Sequence, residues 1–119
     1  MSQRVFVYGT LRRGESNHFL LENSEFLGDY MTEDRFNLFS LGPYPAAIEG
    51  NSPLIGEVYL VDDATLAKLD IVEDYPIEYD RKLIPTSFGD AWIYLYQDKS
   101  ELTKQLSSGD WCQREENYK

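Results

Sequence analysis

Residues 5–14 read Val-Phe-Val-Tyr-Gly-Thr-Leu-Arg-Arg-Gly, and their pattern changes from that of a strand to that of a loop. The apolar, β-branched and aromatic run 5–8 predicts a strand that ends at Gly9. Gly9 and Gly14 bracket the following loop, and glycine allows a ligand to approach the backbone closely. The stretch therefore predicts a first strand that leads directly into a candidate binding loop.

Further strands are predicted by β-branched and aromatic content at 25–31, 35–41, 55–61, 79–86 and 91–97. The segment 42–45, Gly-Pro-Tyr-Pro, interrupts the sheet pattern, since two prolines cannot both serve a central ladder. Six or so strands with only short helices between them favour the α+β class. We expect one domain over residues 1–119, with a small mixed sheet that is closed into a barrel or strongly curled.

Three helices are predicted. Asn17 is expected to cap a short helix over 18–22, and Asp62 or Asp63 a longer one that runs to about residue 73. Pro76 forbids any continuation of the longer helix. Ser100 is expected to cap a last helix that ends near residue 109.

Charge and composition exclude several classes of function. The 119 residues carry a formal net charge of −10, which disfavours binding to nucleic acids and to anionic membranes. No run approaches the ~20 apolar residues that cross a bilayer. The single cysteine, Cys112, suits a reducing cytoplasm, and we interpret it as an ordinary thiol. Because His18 is the only histidine, a histidine-rich metal site is excluded, and no metal or cofactor is expected.

The helix over 62–73 carries a carboxylate on its apolar face. At about 100° per residue, Leu66, Leu69 and Glu73 fall on one stripe, with Glu73 only about 20° from Leu66. An inward carboxylate loses solvation, which raises its pKa toward that of a general base at neutral pH. A glutamate at a frayed helix end that bends back to solvent fits the periodicity equally well. Asp70 lies near the same stripe, and we expect it to accept hydrogen bonds and fix local structure.

Cationic or backbone groups could hold an anionic ligand. Successive N–H groups at Tyr8, Gly9, Thr10 and Leu11 could form a nest for a carboxylate or an oxyanion, although most glycines after strands only turn the chain. The arginines at 12, 13, 35 and 81 could clamp a carboxylate, although most exposed arginines are solvated or paired nearby. Arg81 and Tyr79 point to the same face of a predicted strand and could both line a site.

Segments spread over nearly the whole chain together resemble one family. Residues 5–14 with Asn17-His18 resemble the opening signature of the γ-glutamylcyclotransferase-like (AIG2-like) proteins, and Gly56-Glu57-Val58-Tyr59 with Leu69-Asp70-x-x-Glu73 resembles their central block. The run Glu73-x-x-Pro76-x-x-Tyr79-x-Arg81 and the upstream Pro43-Tyr44-Pro45 resemble the γ-glutamylamine cyclotransferase branch. The ending Ser108-Gly109-Asp110-Trp111 resembles small bacterial members.

The resemblance implies a small β-barrel with flanking helices and an enzyme that releases 5-oxoproline from a γ-glutamyl amine or amino acid. It implies Glu73 as catalytic acid and base, the N–H groups of residues 8–11 as the holder of the glutamyl carboxylate or carbonyl, and Tyr79 as a pocket residue. It implies no metal and no cofactor.

Two alternatives to an enzyme remain at this point. One is a non-catalytic protein that binds a small γ-glutamyl or carboxylate metabolite, since some small bacterial members of the family that the chain resembles lack the acidic residue. The other is an interaction protein, for which the acidic surface is the only support. The sequence identifies neither the leaving amine nor the oligomeric state.

Overall fold

The computed structural model describes residues 2–114, and within them eight strands, one α-helix and three short 3₁₀ helices. Residues 1 and 115–119 of the predicted domain lie outside the described part. The strands are Ser2–Val7 (β1), Glu25–Met31 (β2), Phe36–Ser40 (β3), Pro45–Glu49 (β4), Ile55–Asp62 (β5), Tyr79–Thr86 (β6), Gly89–Tyr96 (β7) and Lys104–Gln105 (β8). The α-helix is Asp63–Val72 (α1), and the 3₁₀ helices are His18–Leu21, Lys99–Glu101 and Trp111–Gln113.

The strands form two sheets. A five-stranded sheet has the order β2-β5-β1-β7-β6, and a three-stranded sheet has the order β4-β3-β8. All pairings are antiparallel except that of β1 with β7, which is parallel. The α+β class is confirmed. The sheets do not close, so the word barrel describes the arrangement only loosely.

Strand β1 is buried on both faces because it lies in the middle of the larger sheet. Phe6 belongs to the core between the two sheets, together with Phe36 and Leu38 of β3. Val5 and Val7 belong to a second core on the opposite face, where Leu66 and Leu69 of α1 pack. The period of two along β1 therefore divides its side chains between two cores, which explains why residues 5–8 are continuously apolar.

The smaller sheet departs from the prediction in two places. Residues 42–44 interrupt the sheet pattern as expected, but an additional strand, β4, begins at Pro45, because proline is tolerated at the first position of a strand. No helix covers 100–109: a single 3₁₀ turn with Asp98 as N-cap is followed by β8, which pairs with β3. The edge of β3 is available to this segment only in the folded protein, so tertiary pairing overrides the local helix signal.

The helix predictions hold best for α1, which begins after Asp62 and ends before Glu73 as expected. Asp62 caps it by accepting a hydrogen bond from the backbone N–H of Thr65 at 2.7 Å. The short helix after the loop is a 3₁₀ turn, and the side chain of Asn17 makes no capping hydrogen bond to it. No helix within residues 2–114 is long and apolar enough to cross a membrane.

A buried ion pair fixes the loop that follows β1. Glu57 of β5 is 3% exposed and accepts hydrogen bonds from Arg12 Nε at 3.0 Å, from the Arg13 backbone N–H at 3.0 Å and from the Tyr59 hydroxyl at 2.9 Å. Arg12 also donates to Asp110 Oδ1 at 2.6 Å. The loop is thereby tied both to the sheet and to the C-terminal segment, and Arg12 is committed to structure rather than to a ligand.

We predict that Glu57→Ala lowers the free energy of unfolding by about 3 kcal/mol, because it leaves the Arg12 guanidinium buried beside fewer partners. Urea denaturation of the variant and the wild type measures the difference. Glu49→Ala serves as the control, since it removes a carboxylate paired with Lys82 in an exposed pair and should cost less than about 1 kcal/mol. Equal losses in the two variants would contradict the structural role of Glu57.

Candidate active site

The topology brings four segments to one edge of the larger sheet. Because β1 and β7 are parallel neighbours, their carboxyl ends meet at the same edge, and the antiparallel β6 begins there. Helix α1 also ends at this edge, since Val72 and Glu73 line the same cavity as the loop after β1. Sites at the carboxyl ends of neighbouring strands are common in α/β sheets, and this mixed sheet builds one in a similar way.

These segments enclose a cavity of about 260 Å³, a size that suits a small metabolite. Every predicted site residue lines it: Tyr8, Gly9, Thr10, Leu11, Glu73 and Tyr79. Further lining comes from the loop and strand residues Phe6, Val7, Ser16, Asn17, Pro43, Tyr44, Pro45, Val72, Glu78 and Tyr94. Arg81 is not among the lining residues, so the expectation that it shares the site with Tyr79 is wrong.

The end of α1 places Glu73 in the cavity wall. Glu73 is the C-cap residue, and Asp74 follows it in the left-handed conformation with φ 52°. The N–H of Tyr75 bonds to the carbonyl of Asp70 at 2.9 Å and the N–H of Asp74 to that of Ile71 at 3.1 Å, which is the Schellman pattern. The helix therefore stops in a defined way, and Glu73 lies inward on the cavity rather than on a frayed end in solvent.

Burial and a neighbouring charge raise the pKa of Glu73. Loss of solvation is the larger cause and the negative charge of Glu78 the second, and together they raise the pKa from 4.5 to about 7. In the described part of the chain no hydrogen bond or cation stabilises the charged form of Glu73. A carboxyl with a pKa near 7 can both take and give a proton at neutral pH, as general acid–base catalysis requires.

Asp70 has the structural role expected from the sequence. It accepts hydrogen bonds from Arg81 Nε at 2.9 Å and Nη2 at 3.1 Å, and from the Tyr94 hydroxyl at 2.7 Å. The Arg81 guanidinium is held between the rings of Tyr75 and Trp92, at 4.6 and 4.3 Å from their centroids. Asp70 is thus fully partnered, and Arg81 links α1 to β6 and β7 instead of reaching the cavity.

The loop after β1 presents free backbone donors. The backbone hydrogen bonds of residues 2–114 include none donated by the N–H groups of Gly9, Thr10 or Leu11. Gly9 packs against Pro45 so closely that a Cβ atom there would lie 2.5 Å from Pro45 Cγ. Asn17 holds the loop from the other side, with its side chain donating to Thr10 Oγ1 at 3.0 Å and its N–H to the Thr10 carbonyl at 2.8 Å.

Three buried tyrosines line the cavity with their hydroxyl protons already committed. Tyr8 donates to the Tyr94 carbonyl at 2.6 Å, Tyr79 to the Pro45 carbonyl at 2.7 Å and Tyr94 to Asp70. Burial raises the pKa of each phenol, so all three stay neutral. Tyr79 therefore shapes the cavity by fixing Pro45 against Gly9.

Sequence reasoning missed Glu78 and Tyr94 as cavity residues and gave Tyr44 no role. The Tyr44 hydroxyl donates to Glu78 Oε2 at 3.0 Å. Glu78 lies in the loop before β6, where no periodicity predicts the direction of a side chain. The one sequence feature that could have indicated Glu78 as a cavity residue is its position between Pro76 and Tyr79, in the run that resembles the family.

The remaining reactive side chains lie outside the cavity. His18 Nδ1 is 2.9 Å from the Leu11 carbonyl, to which it donates, and its ring packs near that of Tyr59. Cys112 is an exposed residue whose thiol donates to Glu15 at 3.6 Å. Partial loss of solvation and the nearby carboxylates raise the pKa of this thiol. Within the described residues no group of three or more His, Cys, Asp or Glu side chains could hold a metal ion.

Comparison with known proteins agrees with this geometry. The family model described as "Gamma-glutamyl cyclotransferase, AIG2-like" matches residues 5–113. The chain belongs to this family. The family protein YtfP of Escherichia coli K12 is 46% identical over 94% of this chain and 98% of its own length. A Vibrio cholerae relative that also carries the cyclotransferase name is 55% identical over 96% of this chain and 99% of its own.

Solved structures of other proteins have the same fold. A Pyrococcus horikoshii protein superposes with a TM-score of 0.82 at 33% identity, covering 92% of this chain and 89% of its own. A mouse AIG2-like protein superposes with a TM-score of 0.74 at 28% identity, covering 87% and 85%. Both the resemblance read from the motifs and the fold class are therefore confirmed.

We predict that Glu73→Gln stabilises the protein at pH 8 but not at pH 4. As the pH rises from 4.5 to about 7, the unfolded chain loses the Glu73 proton while the folded chain retains it, so the wild type loses stability over that window. The loss should be about 2 kcal/mol, less than the full shift implies, because the side chain borders the open cavity. Urea denaturation at both pH values measures it, and a difference independent of pH would contradict the raised pKa.

Proposed function

We propose that the protein is an enzyme that releases 5-oxoproline from a γ-glutamyl amide, with Glu73 as its acid and base. The observation that carries the proposal is the position of Glu73: it lines the cavity without a cationic partner in the described structure, with its pKa raised to about 7. Family membership supports cyclotransferase activity, whereas the substrate class and the role of Glu73 are inferred from the cavity.

The reaction needs no external reactant. The α-amine of the glutamyl group attacks its own γ-carbonyl carbon, which forms the C–N bond of the five-membered ring. The tetrahedral intermediate then collapses and the original amide C–N bond breaks, releasing 5-oxoproline and a free amine. From the α-ammonium form, the attacking nitrogen loses two protons in becoming the lactam N–H. The leaving nitrogen gains two in becoming an ammonium group, so the protons balance.

Glu73 carries one of these protons between the two nitrogens. Its carboxylate takes a proton from the α-ammonium group, which frees the amine for attack, and the resulting carboxyl gives that proton to the leaving nitrogen. The second proton leaves the attacking nitrogen after the new C–N bond has formed and reaches the expelled amine through solvent. A pKa of about 7 makes both steps accessible near neutral pH. The folded-back conformation of the substrate adds a further rate gain, since a cavity of about 260 Å³ restricts an extended chain.

The backbone donors of the loop after β1 complete the site. The N–H groups of residues 8–11 would hold the glutamyl carboxylate or the developing oxyanion, in keeping with the absence of intramolecular acceptors for residues 9–11 in the described structure. The lining contains no arginine, lysine or histidine, so an anion there depends on neutral donors such as these backbone N–H groups. Tyr79 would act on the shape of the cavity.

Product formation tests the proposed reaction directly. We expect 5-oxoproline from at least one member of a panel of γ-glutamyl amines and γ-glutamyl amino acids, detected by mass spectrometry. Glu73→Gln should lower kcat by ~10² to 10⁴, because the amide can neither accept nor donate the transferred proton. Glu22→Gln is the control, since it changes an exposed glutamate outside the cavity and should leave kcat unaltered.

Circular dichroism and saturable binding of a panel member would show that Glu73→Gln remains folded. Turnover by that folded variant at the wild-type rate would remove Glu73 from the mechanism. Binding without product in the wild type would instead make the protein a carrier of γ-glutamyl metabolites.

The pH dependence gives a second prediction. Below about pH 7 Glu73 is protonated and cannot accept the ammonium proton, so kcat/KM should fall tenfold for each unit of decreasing pH. Steady-state rates between pH 5 and 9 measure this limb. A profile that is flat through pH 7 would contradict Glu73 as the base.

A further inference from the structure

We infer that Glu78 selects γ-glutamyl amides whose leaving amine carries a second positive charge. The inference rests on the proposed function and extends it to the class of leaving group. The preferred substrates would be γ-glutamyl derivatives of diamines, in which an alkyl spacer separates the amide nitrogen from a distal ammonium group. Leaving groups with a carboxylate would be disfavoured.

The first support is the position of Glu78. It lines the same cavity as Glu73 and precedes β6 by one residue. The Tyr44 hydroxyl donates to Glu78 Oε2 at 3.0 Å and thereby orients the carboxylate, while no described residue donates to Oε1. One oxygen is therefore held in place and the other is available to a ligand.

The second support is the absence of a compensating charge. Two carboxylates behind the cavity wall, Glu57 and Asp70, are paired with Arg12 and Arg81. No ion pair in the described residues involves Glu78, and none of the residues that line the cavity is cationic. A cavity with two carboxylates and no cation favours a cationic ligand over an anionic one.

The electrostatic effects within the cavity show that the charge of Glu78 reaches its other residues. Glu78 is one of the two causes that raise the pKa of Glu73, and its hydrogen bond raises the pKa of Tyr44. A distal ammonium group near Glu78 would offset this negative charge. The α-ammonium group of the substrate, in contrast, faces Glu73 in the proposed reaction.

The cavity also presents apolar surface on which an alkyl spacer can pack. Val72 and Tyr44 line the cavity and remain 42% and 37% exposed. A short hydrocarbon chain between the amide and the distal ammonium could pack on these two side chains, which would remove apolar surface from water. The combination of an apolar wall with a carboxylate suits a diamine better than a purely polar leaving group.

The experiment compares two substrates that differ only at the far end of the leaving group. These are γ-glutamyl-1,4-diaminobutane, which ends in an ammonium group, and γ-glutamyl-n-pentylamine, which ends in a methyl group of similar size. The ratio of their kcat/KM values measures selectivity for the distal charge. In the wild type we expect the diamine derivative to be favoured by about tenfold, the range of one charge-assisted hydrogen bond.

Glu78→Gln should bring that ratio close to one, and Glu78→Asp should restore part of the preference. Because the ratio is internal to each variant, it is insensitive to the shift that loss of Glu78 causes in the pKa of Glu73. Glu33→Gln is the matched control: it removes the same charge from an exposed site outside the cavity and should leave the ratio unchanged. A ratio near one in the wild type, or a ratio that Glu78→Gln leaves intact, would overturn the inference.

Direct binding separates this inference from the proposed function. If neither compound yields 5-oxoproline, calorimetric titration of both compounds into the wild type and Glu78→Gln replaces the kinetic ratio. A Glu78-dependent preference for the diamine derivative would then support the inference while contradicting the enzyme. Equal affinities, or no binding of either compound, would overturn the inference as well.

Discussion

The buried carboxylate of Glu57 joins three parts of the chain that are far apart in sequence. It lies on β5 and holds both the Arg12 side chain and the Arg13 backbone of the loop after β1, while Arg12 reaches on to Asp110. A charge with 3% exposure needs its partners, since an unpaired buried ion costs several kcal/mol. The loop is therefore held in one conformation, and that conformation leaves its N–H groups without intramolecular acceptors among the described residues.

Asp70 and Glu73 show how one helical turn can contain two carboxylates with opposite tasks. Asp70 accepts hydrogen bonds from Arg81 and Tyr94, and these bonds hold α1 against the larger sheet. Glu73 lies three residues further along, just past the last residue of the helix, and its side chain borders the cavity instead of such partners. Burial without a cation is what raises its pKa. The supporting network and the proposed acid–base group thus depend on the same helix end.

Much of the local structure could be predicted from residues alone. Residue patterns along the strands, the cap at Asp62 and the stop before Pro76 predicted six strands and α1 with small errors at their ends. The errors arose where distant segments decide the outcome. β4 begins at the second of two nearby prolines, and β8 lies in a segment with a helix signal. Both become strands because they pair with the two edges of β3. Asn17 makes no side-chain cap, and its Nδ2 instead donates to Thr10 of the preceding loop.

The sequence by itself determined the family and the α+β class, because motif order and side-chain periodicity are local properties of the chain. Periodicity left the direction of Glu73 open between the interior and solvent, and the helix end seen in the structure decided it. Only the tertiary structure decided which groups meet in the cavity. Glu78 and Tyr44 are 34 residues apart and come together although the strands that follow them, β6 and β4, belong to different sheets. Arg81 shares a strand face with Tyr79, yet the guanidinium goes to Asp70 and two aromatic rings. Periodicity gives the face of a strand, whereas the partner of a charge depends on what the fold places within about 3 Å of it.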